Sequence, residues 1–211
     1  MSDSSSWAKM RSALCWKAIA TLDAFTRGRA WFGVGIGWEG DEAQAMGIPL
    51  GPTKERFEQL EELLDIADRM FAGDSSPYDG HFQLAGPICS PRPAVRPPVL
   101  IGGTGEQKTL LMVARRADAC NLFDLPDGGT TVRRKLDVLR KHCEDTGRAY
   151  AEIEKTLSTR LTPDDTVATF VERCQEQASW GVDHAIVIRS GPWTPESVRI
   201  LTAAVPEVAG F

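Results

Sequence analysis

Two glycine-rich segments carry the residue types best suited to holding a ligand. The first spans residues 33–39, with glycine at alternate positions, and the second spans residues 102–106. Each follows a predicted strand, at the edge where parallel α/β folds bind ligands. Alternate glycines favour close approach by a ligand or another backbone. In the second segment, backbone N–H groups ahead of a predicted helix can hold an anion, most simply a phosphate. The alternative is that the glycines only serve packing inside the fold.

Residues 35–40 also match the GxGxxG pattern of dinucleotide-binding folds. In those folds the loop runs straight into a helix whose positive end meets the pyrophosphate. Here the next predicted helix begins only at Thr53, and the acidic residues at positions 39, 41 and 42 would repel a pyrophosphate. An NAD(P)-dependent dehydrogenase is therefore only a remote alternative.

Cysteine and histidine spacing gives no support for a metal site. The five cysteines are scattered, form no CxxC or CxxH pair, and leave one unpaired, while the three histidines are isolated. This pattern predicts neither a disulfide framework nor a zinc site. We expect four of the cysteines to be ordinary buried or half-buried thiols.

Composition limits the class of protein. The 211 residues, 42% of them hydrophobic and 25% charged, provide enough apolar material for one core, so we expect one domain over residues 1–211. A net charge of −5 gives no general attraction to nucleic acid or to anionic membranes. The Ser-rich start lacks an apolar signal core, and no uncharged run reaches the ~18 residues of a membrane span. We expect a cytoplasmic protein that acts on a small molecule.

The elements that must position the glycines alternate between strand-like and helix-like patterns, which predicts a parallel sheet covered by helices. Helical stripes of period 3.6 run through residues 57–71, 132–143 and 167–178. The predicted strands are residues 30–37, 98–102, 118–123, 152–158 and 183–189. Residues 185–188 in the last strand form a near-continuous apolar run, which predicts burial.

Capping residues predict where two helices begin. Thr162 can cap a helix that has Pro163 at its first position and Asp165 in a capping box. Thr194 begins a final helix in the same way, and Pro206 is expected to end it. Its inward-facing residues are predicted to be Val198, Leu201 and Val205.

A proline-rich segment interrupts the alternation. Residues 87–98 contain five prolines, which exclude a helix or a central strand. Together with residues 78–82, this makes the link to the second predicted strand unusually long. Long links of this kind often carry function, and an inserted surface hairpin is the alternative.

Several motifs in a fixed order resemble one known family. They are residues 20–23, 27–29, 33–38, 54–57, 97–103 and 117–121. From about Leu14 onward, the sequence resembles the luciferase-like monooxygenase superfamily, closest to its branch that uses the deazaflavin coenzyme F420. Relatives that use FMN share these motifs. The resemblance implies a flavin- or deazaflavin-dependent oxidoreductase or monooxygenase that transfers hydride between F420, or FMN, and a small organic substrate.

The resemblance also implies a (β/α)₈ TIM barrel in which residues 30–37 form the fourth strand. The chain would then hold about five of eight strand-helix units, with the first three missing, whereas a complete barrel needs about 250 residues. In the family, the absent part supplies much of the ring pocket and commonly the active-site acid or base.

Residue by residue, the resemblance assigns the cofactor contacts. It places three residues at the ribityl-phosphate region of the cofactor, namely Gly35, Gly37 and Trp38. Gly102 and Gly103 would bind phosphate through backbone donors, and Thr104 could add its hydroxyl. Some relatives carry an acidic proton donor just after the first glycine motif. Trp38 occupies that place here, so Glu39, one residue later, is a weak catalytic candidate, and a solvated loop carboxylate is the alternative.

An open sheet raises a second hypothesis, in which the chain is a truncated, catalytically inactive barrel fragment or an interaction module. Five parallel strands cannot close a barrel, so their edges and interior face need partners. We expect parts of Trp31, Val34, Ile186 and Ile188 to lie in water and the chain to form a homo-oligomer.

Overall fold

The computed structural model describes residues 4–37, 39–48 and 50–210, with side chains from residue 14 onward. Two compact units divide the chain, Met1–Val99 and Leu100–Phe211. Helices and strands alternate along the sequence, which confirms the predicted α/β class. The expectation of a single domain over residues 1–211 stays a prediction.

The first unit is mainly helical. Its elements are α1 (Ser4–Thr26), β1 (Phe32–Val34), α2 (Gly40–Ala45), α3 (Thr53–Ala72) and a hairpin of β2 (Tyr78–Asp79) and β3 (Gln83–Leu84). Trp16 lies at the centre of its core, with ring centroids 4.3 Å from Phe32 and 6.5 Å from Phe71. On α3 the predicted stripe is confirmed, because Leu60, Leu64, Ala67 and Phe71 are buried.

Two expectations in this unit need correction. The strand predicted over residues 30–37 covers only Phe32–Val34, and the chain turns at Gly37, whose φ is +74°. The second correction is α2, which the sequence analysis did not predict. It is a short helix that begins at Gly40. Asp41 and Glu42 lie in its first turn, where acidic side chains stabilise the positive N-terminal end of the helix dipole.

The long proline-rich link, residues 87–98, contains neither helix nor strand, as predicted. The hairpin offered as an alternative lies just before it, where Tyr78 pairs with Leu84. Both oxygens of the Glu62 carboxylate accept backbone N–H groups of this hairpin, at 3.1 Å from His81 and 3.1 Å from Phe82. The hairpin is thus attached to α3.

The second unit is a parallel α/β sheet. Its elements are β4 (Val99–Gly102, which begins at the last residue of the first unit), α4 (Thr109–Arg116), β5 (Ala119–Phe123), α5 (Thr130–Thr146), a 3₁₀ turn (Tyr150–Glu152), β6 (Glu154–Leu161), α6 (Val167–Ser179), β7 (His184–Arg189) and α7 (Pro195–Val208). The strands pair in the order β4-β5-β6-β7, all parallel. This confirms four of the predicted strands and the direction in which they pair.

Two faces of this sheet differ in chemistry. Leu122 and Leu157 face the helices and pack with Leu110, Val132 and Leu136. The alternate residues form a second face, here called the Asn121 face. Its members are Asn121, Phe123, Glu154, Thr156, Ser158, Arg160, His184, Ile186 and Ile188. Side chains alternate along a strand, so this face is as well defined as the helix-covered one.

The predicted full burial of residues 185–188 is wrong, whereas the expected partial exposure of Ile186 and Ile188 is confirmed. Residues 185–188 are all half-buried, and none is fully buried. In the second unit β7 pairs only with β6, so it is an edge strand with a neighbour on one side. An apolar run therefore indicated a strand here but did not indicate a central position.

The predicted start of α6 is also wrong. The helix begins at Val167, and Thr166 is its cap, exchanging hydrogen bonds with Thr169 in a capping box. The Thr162 N–H instead donates to Asp165 Oδ2 at 2.7 Å. Asp165 therefore stabilises a turn ahead of the helix, so the threonine nearer the helix acts as the cap.

For α7 the predicted start is confirmed, and the predicted inward face is confirmed only at Leu201, which is half-buried against the core of the second unit. Thr194 caps the helix through Ser197, with Pro195 at the first position. Val198 and Val205 are 51% and 61% exposed, whereas Ser197, Ile200 and Ala204 are buried. Pro206 does not end the helix but lies inside it, in the last turn before Val208. A proline there removes one hydrogen bond without breaking the turns that precede it.

The cysteines fit the expectation of mainly buried thiols. Cys120, Cys143 and Cys174 are buried, Cys89 is half-buried and Cys15 is exposed, all as free thiols. Burial raises the pKa of the Cys120 thiol to about 12. Within the described residues, no group of three or more His, Cys, Asp or Glu side chains is arranged to hold a metal ion. None of the described helices is both long and apolar enough to cross a membrane.

Exposed apolar residues on α1 predict self-association. Leu14, Leu22 and Phe25 are 56%, 48% and 84% exposed and lie on one side of the helix. Burying roughly 300 Å² of such surface would contribute about 7 kcal/mol before the entropic cost of association. We expect wild-type protein to sediment as a dimer or larger species, and Phe25→Lys to shift it toward monomer.

The matched control is Val95→Lys, at a residue that is 78% exposed but lies in the proline-rich link. It should leave the sedimentation profile unchanged. A monodisperse wild-type monomer with a cooperative, high-temperature unfolding transition would contradict the prediction.

Candidate functional site

The segment after β4 forms an open loop of backbone donors. Gly103 has a φ of +134°, a conformation that side chains disfavour, and its N–H donates to Asn121 O at 3.3 Å. Among the residues that the structure describes, the backbone N–H groups of Thr104, Gly105 and Glu106 donate no hydrogen bond. Thr104 is exposed. The loop can therefore offer several N–H groups to one anion.

Glycine is required here by close packing as well as by conformation. A Cβ at Gly105 would lie 2.9 Å from Thr109 Oγ1, and one at Gly103 would lie 3.1 Å from Thr109 Cγ2. Thr109 is buried at the first turn of α4. The two glycines thus let the loop close over the start of the helix.

The charges beside this loop are compatible with an anion. Glu106 accepts a hydrogen bond from Lys135 Nζ at 2.7 Å and lies 3.3 Å from Arg134 Nε. The hydrogen bond from Lys135 is the main cause that lowers the pKa of Glu106, so this carboxylate stays ionised and paired. Two cations face one carboxylate, which leaves the local balance positive. A phosphate would therefore not be repelled by Glu106.

The first glycine segment belongs to the other unit. Gly35 and Gly37 are exposed, and Trp38 lies outside the described residues. Arg56, at the start of α3, donates to the carbonyls of Ile36 at 3.2 Å and Gly37 at 2.7 Å. It therefore fixes the turn that follows β1.

Gly37 also borders an open cavity of about 380 Å³. Its other lining residues are Glu39, Glu42, Ala43, Met46, Ile48 and Leu50. Glu39 is exposed, and its carboxylate has no hydrogen-bond or ion-pair partner among the described residues. It can exchange protons with a bound molecule, and equally it can simply be hydrated. Its catalytic role stays a prediction.

A polar cluster on the Asn121 face was missed by the sequence analysis. Asn121 Nδ2 donates to Ser158 Oγ at 3.0 Å, and Thr156 Oγ1 donates to Asn121 Oδ1 at 2.9 Å. Thr156 and Ser158 are both buried. In a sheet interior, such groups persist only when hydrogen-bonded, and here they satisfy one another. The alternation of Thr156, Ser158 and Arg160 along a strand was the available indication.

A second network holds the loop after β5 in place. Asp124 Oδ2 accepts hydrogen bonds from Thr159 Oγ1 at 2.9 Å and Gln177 Nε2 at 2.8 Å. Thr159 and Gln177 are buried on the helix side of the sheet. Asp124 therefore fixes the carboxyl end of β5 and does not point toward the Asn121 face.

Comparison with known proteins identifies the family. Residues 10–203 match the model of the luciferase-like monooxygenases. The chain belongs to this family. The resemblance seen in the ordered motifs is thereby confirmed.

Relatives in this family include enzymes and uncharacterised proteins. An uncharacterised protein of Mycobacterium tuberculosis (strain ATCC 25618 / H37Rv) is 40% identical over 125 residues, covering 58% of this chain and 40% of that protein. An F420-dependent glucose-6-phosphate dehydrogenase of Kineococcus radiotolerans is 26% identical over 159 residues, covering 74% of this chain and 46% of that protein. The chain thus spans less than half the length of these curated relatives.

Solved structures show the fold. An F420-dependent secondary alcohol dehydrogenase in complex with an F420-acetone adduct has a TM-score of 0.81 at 14% identity, covering 93% of this chain and 75% of that chain. A riboflavin lyase with modified FMN and riboflavin has a TM-score of 0.60 at 16% identity, covering 80% of this chain and 42% of that chain. The luciferase-like chain is an α/β protein with a parallel half-barrel sheet, incomplete relative to these neighbours, as predicted.

Proposed function

We propose that the protein is an oxidoreductase that transfers hydride between coenzyme F420 and a small organic substrate. The observation that carries this proposal is the loop after β4, where Thr104, Gly105 and Glu106 leave their backbone N–H groups unused within the described residues. Such a loop suits the phosphate of a deazaflavin or flavin cofactor. FMN is the alternative cofactor.

The residues present fit the phosphate end of the cofactor. Thr104, Gly105 and Glu106 would hold the phosphate through their unused backbone N–H groups, and the Thr104 hydroxyl would add a donor. The resemblance named Gly102 and Gly103 as the donors, but the Gly103 N–H already donates to Asn121 O, so this glycine pair would shape the loop. The paired Glu106 and its two cations would leave the site favourable to negative charge. Substitution of either Gly103 or Gly105 would push a Cβ against Thr109 and deform the loop.

The glycine segment of the first unit is a separate proposed cofactor contact. Gly35, Gly37 and Trp38 are proposed to approach the ribityl-phosphate region. Arg56 would keep the turn at Gly37 in place through its two carbonyl contacts. When bound, the cofactor supplies the hydride chemistry, and the protein positions it and excludes water.

F420 is preferred to FMN on the strength of the relatives. The curated dehydrogenase that matches 74% of this chain is F420-dependent. The solved neighbours, at 14% and 16% identity, show the fold and do not distinguish the two cofactors. FMN therefore remains the comparison that an experiment must include.

Cofactor titration followed by fluorescence tests the proposal. We expect F420 to bind more tightly than FMN, and inorganic phosphate to compete weakly with either. Gly103→Ala should weaken binding by at least about 10-fold, because the loop donors would be displaced. The matched control is Gly147→Ala, where φ is +70° and a Cβ would meet no atom within 4 Å.

Two results would count against the proposal. If neither cofactor binds, the enzyme assignment of this chain fails. If a cofactor binds but phosphate does not compete and Gly103→Ala has no effect, the phosphate site is wrong.

A second candidate function is an inactive barrel fragment or interaction module. The exposed apolar residues on α1 favour it, because such surfaces commonly contact other proteins. Failure of both cofactors to bind, combined with self-association in sedimentation, would support this alternative.

A further inference from the structure

Arg160 is a cation at the carboxyl edge of the Asn121 face. It is exposed, next to last in β6, and pairs in register with Ile188 of β7. Its Nη1 donates to Ser190 Oγ at 3.0 Å. Among the described residues, no carboxylate lies within ion-pair distance of this guanidinium. Most of its donors thus remain available to a ligand.

The backbone of Arg160 is held by a separate ion pair. Arg173 Nη1 donates to the Arg160 carbonyl at 2.6 Å, while the Arg173 guanidinium pairs with Asp165. Asp165 is buried, so its charge requires this partner. Arg173 therefore holds the end of β6 in place, and the Arg160 side chain extends from this fixed strand end.

The other ionisable side chains of this face lie at the opposite edge. Glu154 and His184, at the amino ends of β6 and β7, bond to one another at 2.9 Å. Arg160 lies six positions after Glu154, which is roughly 20 Å along a strand. Arg160 is therefore the charge that a ligand at the carboxyl edge would meet.

Apolar side chains are exposed at the same edge. Phe123, at the end of β5, is 47% exposed, and Trp193, three residues after Ser190, is 50% exposed. Phe123 pairs in register with Ser158, two residues before Arg160. A ligand that contacts Arg160 there would also contact an apolar surface, which favours an organic anion.

We propose that Arg160 and Ser190 bind the carboxylate or phosphate of an organic substrate with an apolar body. Parallel barrels bind their substrates at the carboxyl edge of the strands, where these residues lie. Guanidinium groups bind such anions through paired, charge-assisted hydrogen bonds. The proposal rests on the proposed function and names its substrate class. The phosphate of the cofactor has the same chemistry, so the test must separate the two sources.

Calorimetric titration of the full chain with phenylacetate tests the site. We expect phenylacetate to bind and its neutral analogue phenylacetamide to bind at least about 10-fold more weakly. Arg160→Gln should weaken phenylacetate binding by about 10- to 100-fold, the usual range for a lost charge-assisted contact. Arg160→Lys should weaken it less, because the charge remains and the paired geometry is lost.

Arg189→Gln is the matched control. Arg189 pairs with Leu161, which packs toward the helices, so it lies on the opposite face while carrying the same charge. This variant should leave phenylacetate binding unchanged. Fluorescence titration with F420 and FMN should give the same affinities for Arg160→Gln as for wild type.

Four outcomes would overturn the proposal. Wild type could show no binding of phenylacetate at about 10 mM, a concentration on the order of the weakest dissociation constant that would still indicate a site. It could bind phenylacetamide equally well, or Arg160→Gln could bind like wild type. If Arg160→Gln instead weakens cofactor binding, the anion that it holds belongs to the cofactor. A wild-type chain that binds phenylacetate but neither cofactor would reject the proposed function and leave the anion site in place.

Discussion

Replacing Gly37 with Val is expected to abolish cofactor binding. Gly37 has a φ of +74°, where a β-branched side chain costs about 1–2 kcal/mol or more. Its Cβ would also lie 3.2 Å from Leu50 Cδ2, in the cavity that Gly37 borders. The turn must therefore rearrange, and its contact with the cofactor is lost. We expect fluorescence titration to show at least an approximately 100-fold weaker affinity.

The control for this variant is Gly28→Val. Gly28 also has a positive φ, of +81°, and a Cβ there would meet no atom within 4 Å. It precedes β1, whereas Gly37 follows it, so the two variants carry similar backbone strain at opposite ends of one strand. Both should keep the helical circular dichroism of wild type. An unchanged cofactor affinity in Gly37→Val would reject the assignment of this segment.

Hydrophobic periodicity was sufficient to predict the helices and strands that bury one face. On α5, the predicted stripe of Val132, Leu136, Leu139 and Cys143 is fully buried. The strands of the second unit were found near their true positions because short apolar runs lay between helical patterns. Their parallel pairing followed from the same alternation, since each crossover contains a helix.

Local sequence could not reveal which elements lie at an edge. Residues 185–188 have the composition of a central strand, yet their exposure depends on a neighbour that no local pattern specifies. On α7 the buried residues are Ser197, Ile200 and Ala204, so a small and a polar residue face inward in place of two valines. Burial there is decided by packing against α6 and β7 and is not decided by hydrophobicity alone.

The site was predictable in part for a similar reason. Glycines that need special conformations are visible in a sequence, and Gly37 and Gly103 both have positive φ. Polar residues within strands are less informative, because Thr156 and Ser158 are ordinary strand residues until their register with Asn121 is known. A catalytic proton donor is identified by the contacts of its carboxylate, and Glu39 makes no hydrogen bond or ion pair among the described residues.

Replacing Arg173 with Met is expected to cost about 3 kcal/mol of the free energy of unfolding. The Asp165 side chain is only 4% exposed, and Arg173 is its cationic partner. Removing one member of such a pair leaves an uncompensated buried charge, which is far more costly than losing an exposed pair. Methionine keeps an apolar stem beside Phe170, so the loss would report mainly on the charge. Urea denaturation at pH 7 measures the difference.

The matched control is Arg199→Met on α7. Arg199 pairs with Glu196, but the two side chains are 68% and 63% exposed. Exposed pairs contribute about 0–1 kcal/mol, so this variant should unfold close to wild type. Equal losses in the two variants would contradict the argument from burial.

The pH dependence gives a second test of the same pair. Burial alone would raise the pKa of Asp165, but the hydrogen bonds from Arg173 and from the Thr162 N–H outweigh it and hold the pKa below its usual value. A lowered pKa stabilises the fold above the unfolded-state value, near 3.9, and this contribution is lost as the pH falls through the folded-state value. Wild type should therefore lose stability in this acidic range. Arg173→Met should lose much less there, because Asp165 without its partner is no longer stabilised as an anion.

Combining Asp165→Asn with Arg173→Met distinguishes the cost of an unpaired buried charge from the cost of lost packing. The double variant removes both charges, so it should be more stable at pH 7 than Arg173→Met alone. It would still lack the contact from Arg173 to the Arg160 carbonyl. If the double variant recovers stability but binds phenylacetate more weakly than wild type, then the cost of Arg173→Met comes from the unpaired Asp165 charge, and the Arg173 contact positions Arg160. If it is no more stable than Arg173→Met, the cost of that substitution comes from lost packing and not from a buried charge.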